Sequence, residues 1–278
     1  MGFLDFFTTK NEDDSSIIQE IQHEVDFSNF EIISDYIYEK SGIIDLDKRA
    51  LVFTRLKQFA QDSAIFTTIE FLNNMKNDSK FYQEVINIVT VNETYFFREK
   101  HELEWLVDYV KKSTKNINIL SLPSSSGEET YSILIMLDMA GVNMSRIKII
   151  GYDINSQAVI DAQNGYYNSH SLHKAENEVV SKYFTKTSEN LYQISKEFRV
   201  KASFEQKNIF ELKDDKNKYD IVLSRNMFIY FDVQKRVEAV EVIANLLKHD
   251  GIYIKGHADY IEVHDKLENV EFGVYKKK

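Results

Sequence analysis

The sequence predicts an α/β protein, a doubly wound and largely parallel sheet with a small β insertion, preceded by an all-α N-terminal domain. Three observations point there. Short β-branched runs at 117–122, 147–152, 219–223 and 251–255 alternate with helical stretches, as parallel strands joined by crossover helices do. Residues 28–90 carry helical periodicity alone. Polar turns follow the runs, at the strand ends where open α/β sheets bind ligands.

In chain order, residues 1–25 read as a variable tail. Phe3, Leu4, Phe6 and Phe7 precede the acidic run Glu12-Asp13-Asp14, and Ile17, Ile18, Ile21 and Val25 form one apolar stripe. Gly2 opens no myristoylation signal, because Phe6 stands where Ser or Thr is required. Residues 26–90 form the helical domain. Its first stripe, Ile32, Ile33, Tyr36 and Ile37, stops near Gly42. A second holds Leu51, Val52, Leu56, Phe59 and Ala60, and two more cover 69–75 and 81–89 without Gly or Pro. Residues 91–113 follow as a linker helix, and 114–278 as the sheet domain. Within it, Tyr183-Phe184 and 191–194 suggest a β subdomain spanning about 181–206, and Ala202-Ser203-Phe204 a strand returning to the main sheet.

Net charge is −10, from 44 acidic and 34 basic side chains, which excludes nucleic acid as a default partner. No apolar run reaches the roughly 18 residues a membrane span needs, and no signal peptide is read. Cysteine is absent, so disulfides and thiolate metal sites are excluded and a cytoplasmic location is expected. Lys48, Arg49, Arg55 and Lys57 lie in a stretch without an acid, either a solvated helix face or a positive patch for an acidic partner.

Three segments carry candidate chemistry. Residues 92–98, Asn92-Glu93-Thr94-Tyr95-Phe96-Phe97-Arg98, flank three aromatics with an amide, a hydroxyl and a guanidinium, an apolar wall with orienting groups. Ser124-Ser125-Ser126-Gly127-Glu128-Glu129 follows the first strand; it lacks both Gly-x-Gly-x-x-Gly and a Walker lysine, so pyrophosphate and triphosphate are disfavoured. Gly127 is expected to let backbone approach a ligand. Glu128 and Glu129 suit an amine-bearing ligand or complement the helix dipole. Asp153, ending the second strand, accepts both hydroxyls of a ribose or caps the helix starting near Asn155. A ribose acid, no phosphate cradle and a carboxylate for an amine describe S-adenosylmethionine better than NAD or ATP. The third segment, 224–231, holds Ser224, Arg225 and Tyr230; Asn208 ends the neighbouring strand, where it is expected to read an adenine amine. His170 and His173, with Glu176 and Glu178 close behind, sit in loop-like surroundings and are read as surface residues, so no metal site is expected.

At these residues the chain resembles the chemotaxis receptor methyltransferases, the CheR-type protein-glutamate O-methyltransferases. Four segments carry the resemblance: 92–98; Ser126-Gly127-Glu128-Glu129 with Tyr131-Ser132; Gly151-Tyr152-Asp153-Ile154 with Gly165-Tyr166-Tyr167; and Arg225-Asn226 through Tyr230-Phe231-Asp232. A weaker match, Ser41-Gly42-Ile43 with Arg55-Leu56, resembles the family's helical N-terminal domain. The resemblance implies a Rossmann-like methyltransferase domain that binds S-adenosylmethionine and releases S-adenosylhomocysteine. It implies cofactor contacts at Asn92, Thr94, Arg98, Glu128, Asp153, Asn208, Ile209, Ser224 and Arg225. Arg98 and Tyr230 are then the catalytic candidates, Arg98 orienting the acceptor carboxylate or holding the cofactor end, or pairing with Glu128 or Glu129. Lys48, Arg49 and Arg55 are expected to meet the helical cytoplasmic domain of a receptor.

Three departures stand out: Pro123, His257-Ala258-Asp259 in place of the family's His-Ser-Glu, and a short β insertion without a glycine-bearing loop. The last predicts activity independent of a receptor tail peptide, and a monomer is expected. Two readings compete: a methyltransferase for another protein or small-molecule acceptor, and a non-catalytic module binding S-adenosylmethionine or S-adenosylhomocysteine.

Overall fold

The computed structural model describes residues 24–44, 46, 49–90, 93–262 and 264–278, so the expected tail stripe lies almost wholly outside the described residues. Four helices come first: α1 (Glu31–Ser41), α2 (Ala50–Asp62), α3 (Thr68–Asn77) and α4 (Ser79–Val89). Their ends follow local chemistry. Gly42, at φ 74°, takes the left-handed conformation that stops α1, and its N–H bonds to the Tyr38 carbonyl. The Thr67 side chain caps α3 by accepting from the Glu70 N–H, and Asp78 caps α4 by accepting from Lys80 and Phe81. Ile33, Ile37, Leu56, Phe71 and Ile86 are fully buried in a core of their own. Edge-on contacts among Phe27, Phe53, Phe59, Phe71 and Phe81 fill it.

The expected linker helix is shorter than 91–113: α5 covers only Lys100–Lys112. Phe97 and Glu99 adopt φ of 61° and 47°, left-handed values that interrupt a right-handed helix. There follow β1 (Ile117–Ser121), α6 (Glu128–Met139), β2 (Ile147–Asp153), α7 (Ser156–Asn164), β3 (Tyr166–Asn168), α8 (Asn177–Tyr183), β4 (Phe184–Ser188), β5 (Leu191–Ile194), α9 (Lys196–Arg199), β6 (Ala202–Gln206), β7 (Tyr219–Ser224), α10 (Val233–Leu246), β8 (Leu247–Lys255), β9 (Leu267–Glu271) and β10 (Val274–Lys277).

The main sheet runs β6-β2-β1-β7-β8-β10-β9. Its first five strands are parallel, and β10 and β9 close the edge antiparallel. Alternation along β1 sends Ile119 into the core on one face and Leu120 into the core on the other, so helices cover both faces. The chain thus has the expected α/β architecture with a mostly parallel sheet. A separate antiparallel sheet, β3-β5-β4, forms the insertion. Tyr183 ends α8 rather than starting a strand, while β6 does rejoin the main sheet beside β2. No described helix is long and apolar enough to cross a membrane.

Hydrogen bonds fasten the helical part to the strand ends. Gln83 Nε2 donates to the Ile154 carbonyl at 3.0 Å, the Ser156 N–H to Asn87 Oδ1 at 3.0 Å, and Asn155 Nδ2 to Thr90 Oγ1 at 2.8 Å. Tyr38 donates to Asp232 at 2.7 Å.

Candidate active site

The carboxyl ends of β1, β2, β6 and β7 open into one cavity, and Thr90, Glu93, Thr94, Tyr95 and Arg98, with Ser41 at the end of α1, form its opposite wall. Leu122, Pro123, Ile154, Ile209 and Met227 make much of the lining apolar. Into that surround the sheet inserts Asp153. Its Oδ2 accepts the Ser125 N–H at 2.7 Å and its Oδ1 the Asn155 N–H at 2.8 Å. Burial pushes its carboxyl up to about 6, against these backbone donors, which favour the anion. The helix cap is supplied by Asn155, whose Oδ1 accepts the Ala158 N–H at 2.9 Å, so Asp153 keeps its place on the cavity wall.

Thr94, Arg98, Asp153, Asn208, Ile209, Arg225 and Tyr230 all line the cavity. Glu128 does not. Consecutive helical residues point about 100° apart, and the wall residue is Glu129, which accepts from Ser121 Oγ at 2.8 Å and from Arg225 at 2.6 Å. Glu128 is buried behind it and accepts from Ser126 Oγ at 2.8 Å; burial raises its carboxyl. Ser224 is likewise buried at the strand end, outside the lining. Asn208 reaches the cavity with its amide already engaged, donating to the Lys40 carbonyl at 2.8 Å and accepting from the Phe210 N–H at 3.1 Å. Asn92 and Lys48 lie outside the described residues.

Gly127 serves packing instead of ligand approach. It sits at φ 93°, and a Cβ there would meet Ala162 at 3.0 Å and the Phe204 ring at 3.1 Å.

The arginines divide the work. Arg225, with 3% of its side chain exposed, bridges Glu129 at 2.6 Å and Glu99 at 3.3 Å and also donates to the Arg98 carbonyl. Burial opposes its charge, but the two carboxylates outweigh that and hold it firmly protonated. Arg98 pairs with neither Glu128 nor Glu129; its Nε lies 4.0 Å from Glu99 and it donates to the Glu93 carbonyl. Arg49 departs from the expected outward patch. Preceding α2, it turns its guanidinium onto the Tyr230 ring, 4.7 Å from the centroid, and bonds the Val89 carbonyl at 3.3 Å. Arg55 is exposed on α2. Burial raises the Tyr230 hydroxyl, with the charges of Arg49 and Arg98 pulling the other way.

Sequence reasoning missed Glu99 and gave Asp259 no role. Asp259 Oδ1 accepts the Phe228 N–H at 2.8 Å and Oδ2 the Asn226 N–H, which fixes the turn carrying Arg225. Of the seven non-glycine residues with positive φ among the described residues, Ser125 and Asn226 line this site and Glu99 pairs with its Arg225. Such strain persists where surrounding contacts over-determine it, as at functional sites. His170 and His173 stack on an exposed turn, 5.4 Å apart.

The lining fits a nucleoside carrying a charged amino-acid arm. Asp153 offers a carboxylate for ribose hydroxyls, Glu129 one for an amine, and the buried hydroxyls of Ser124 and Ser125 on the wall have no hydrogen-bond partner among the described residues. Fold and cavity thus define a Rossmann-like protein with a site for a nucleoside.

Comparison with known proteins narrows the class. Residues 92–275 match the family "CheR methyltransferase, SAM binding domain". The chain is 35% identical over 227 residues to a chemotaxis protein methyltransferase of Campylobacter jejuni, covering 81% of this chain and 86% of that protein. It is 32% identical to chemotaxis protein methyltransferase 2 of Vibrio cholerae, with 85% of each covered, and 30% identical to the chemotaxis protein methyltransferase of Escherichia coli, with 84% of each covered. The chain belongs to the CheR methyltransferase family, and its cofactor is S-adenosylmethionine.

Proposed function

We propose that this protein methylates glutamate side chains on the helical cytoplasmic domain of chemotaxis receptors, giving glutamyl methyl esters. One observation carries the reading: the cavity that fits the cofactor has Tyr230 on its wall, with the Arg49 guanidinium over its ring and the charge of Arg98 acting on its hydroxyl. A carboxylate acceptor is what two cations at a methyl-transfer site would select. The names of the relatives support the chemotaxis assignment.

Bound S-adenosylmethionine supplies a methyl group on a positively charged sulfur. Glutamate, with an ordinary pKa near about 4.3, is already ionised at neutral pH, so no general base is required of the protein. The task is alignment. Asp153 and Glu129 anchor the cofactor's sugar and amine, Arg98 and Arg49 orient the acceptor carboxylate, and Tyr230 packs beside the reacting centre and donates a hydrogen bond. Esterification removes a negative charge from an acidic helix bundle and so biases a two-state signalling element. The short insertion supports action without a tail peptide.

Isotope-labelled methyl transfer to receptor cytoplasmic fragments tests the reading. Label should enter the receptor, be released by mild base, and vanish when the acceptor glutamates are replaced by alanine. Base-stable label, or transfer that ignores those replacements, overturns it.

A further inference from the structure

Arg225 joins the cavity to a second group of side chains. Its partner Glu99 also accepts the His257 N–H at 3.1 Å. Glu102 follows in the first turn of α5, 1% exposed, and neither of its carboxylate oxygens accepts a hydrogen bond from a described residue. The charged group against it is the imidazole of His257, through Nε2. One ligand atom each from Glu99, Glu102 and His257 lies within 4.8 Å of the others, and no other such trio of acidic or histidine side chains occurs among the described residues.

We propose that Glu99, Glu102 and His257 form a binding site for a divalent transition-metal ion of the zinc class, beside the cofactor cavity and separate from methyl transfer. Beyond the imidazole contact at Oε1, the buried Glu102 carboxylate keeps Oε2 without a partner among the described residues, and such a group calls for a cation. Glu99 is held at φ 47°, a left-handed conformation that side chains rarely adopt without a local reason. Two carboxylate oxygens and an imidazole nitrogen match the three-ligand zinc site with a fourth position for water, whereas magnesium and calcium favour six or more oxygens. Tetrahedral zinc needs ligand atoms about 3.3 Å apart, from metal–ligand bonds of about 2.0 Å. The contact between Glu102 Oε1 and His257 Nε2 would have to open to that spacing, a shift that falls to His257, whose side chain is 53% exposed. The charge tally agrees: Glu99, Glu102 and Glu129 face Arg98 and Arg225, leaving one negative charge in excess. The rival arrangement is the direct contact of Glu102 with the His257 imidazole, which needs no metal.

Zinc chloride is titrated calorimetrically into the full chain at pH 7.5 with S-adenosylhomocysteine saturating, so that Asp153 and Glu129 are covered. One equivalent should bind at micromolar concentration or tighter, on the order of −8 kcal/mol. His257→Ala and Glu102→Gln should each weaken binding about 10-fold or more. The double variant H170A/H173A, which removes the stacked pair on the exposed turn, should bind as the parent does. Circular dichroism of each variant confirms folding. Absence of a one-to-one isotherm, binding that survives both His257→Ala and Glu102→Gln, or loss in H170A/H173A overturns the site.

Discussion

The two walls of the cavity are built on different principles. On the sheet side, Asp153, Glu129 and Arg225 are buried or nearly so, and each is gripped by protein donors or counter-charges. On the helical side, among the described residues, Arg49 makes one long hydrogen bond and a ring contact, and Arg98 is 27% exposed, donates to the Glu93 carbonyl and has its carboxylate 4.0 Å away. The first wall is set before a small, invariant ligand arrives. The second keeps its cations only loosely committed, as suits the proposed acceptor, whose carboxylates would present slightly different geometries.

If that contrast is right, damage on the sheet side should register in stability and cofactor affinity, and damage on the helical side in acceptor kinetics. Arg225→Met should show the largest effect. It strands two acids, Glu129 beside the cavity and Glu99, and should remove about 3–5 kcal/mol of unfolding free energy by denaturant titration. A loss below about 1 kcal/mol would break the comparison. Asp153→Ala should weaken S-adenosylhomocysteine binding about 30- to 150-fold, from about 2–3 kcal/mol of charge-assisted hydrogen bonding.

The same carboxyl gives a pH test. Because burial pushes Asp153 up to about 6, the free protein holds a proton there below that pH, and ligand hydroxyls must donate to the anion. Affinity should therefore be flat above about pH 7 and fall up to tenfold per unit below about pH 6, by calorimetry. Stability of the free protein has the opposite sign. The raised value favours the folded state at low pH, and this contribution is lost as pH rises from the ordinary 3.8 through about 6.

On the other wall, Arg98→Ala should lower methyl transfer about 100-fold while shifting S-adenosylhomocysteine affinity less than about threefold. Arg49→Ala should raise the acceptor KM about fivefold with kcat preserved, an effect that shrinks in high salt. Exposed Arg55→Glu should show the smallest change, about twofold in KM and salt-dependent. A drop in cofactor affinity in Arg49→Ala would merge the two walls into one.

The parallel strands were legible because buried β-branched runs announce themselves: β1, β2 and β7 fall within a residue of their sequence positions. The short β3 was not, since only Tyr167 of its three residues is buried. Nor was β9, whose Leu-Glu-Asn-Val-Glu buries a single residue and so lacks the alternation of a half-buried strand. In the site, the polar residues ending strands β2 and β7 were readable from position alone, as Asp153 and Arg225 illustrate. Glu128 against Glu129 was not, because helix phase at the first turn depends on where Gly127 lets α6 begin. Glu99 and Asp259 act across 126 and 31 residues of sequence, on Arg225 and Phe228, and pairing at such range leaves no local mark.

The hydrogen bonds from α4 and Thr90 to residues 154–156 have a thermodynamic consequence. They tie the segment that follows Asp153 to the helical part of the chain. A ligand of the helical side whose binding alters that segment shifts the affinity for S-adenosylmethionine, and linkage then requires the cofactor to shift that ligand's affinity by the same factor.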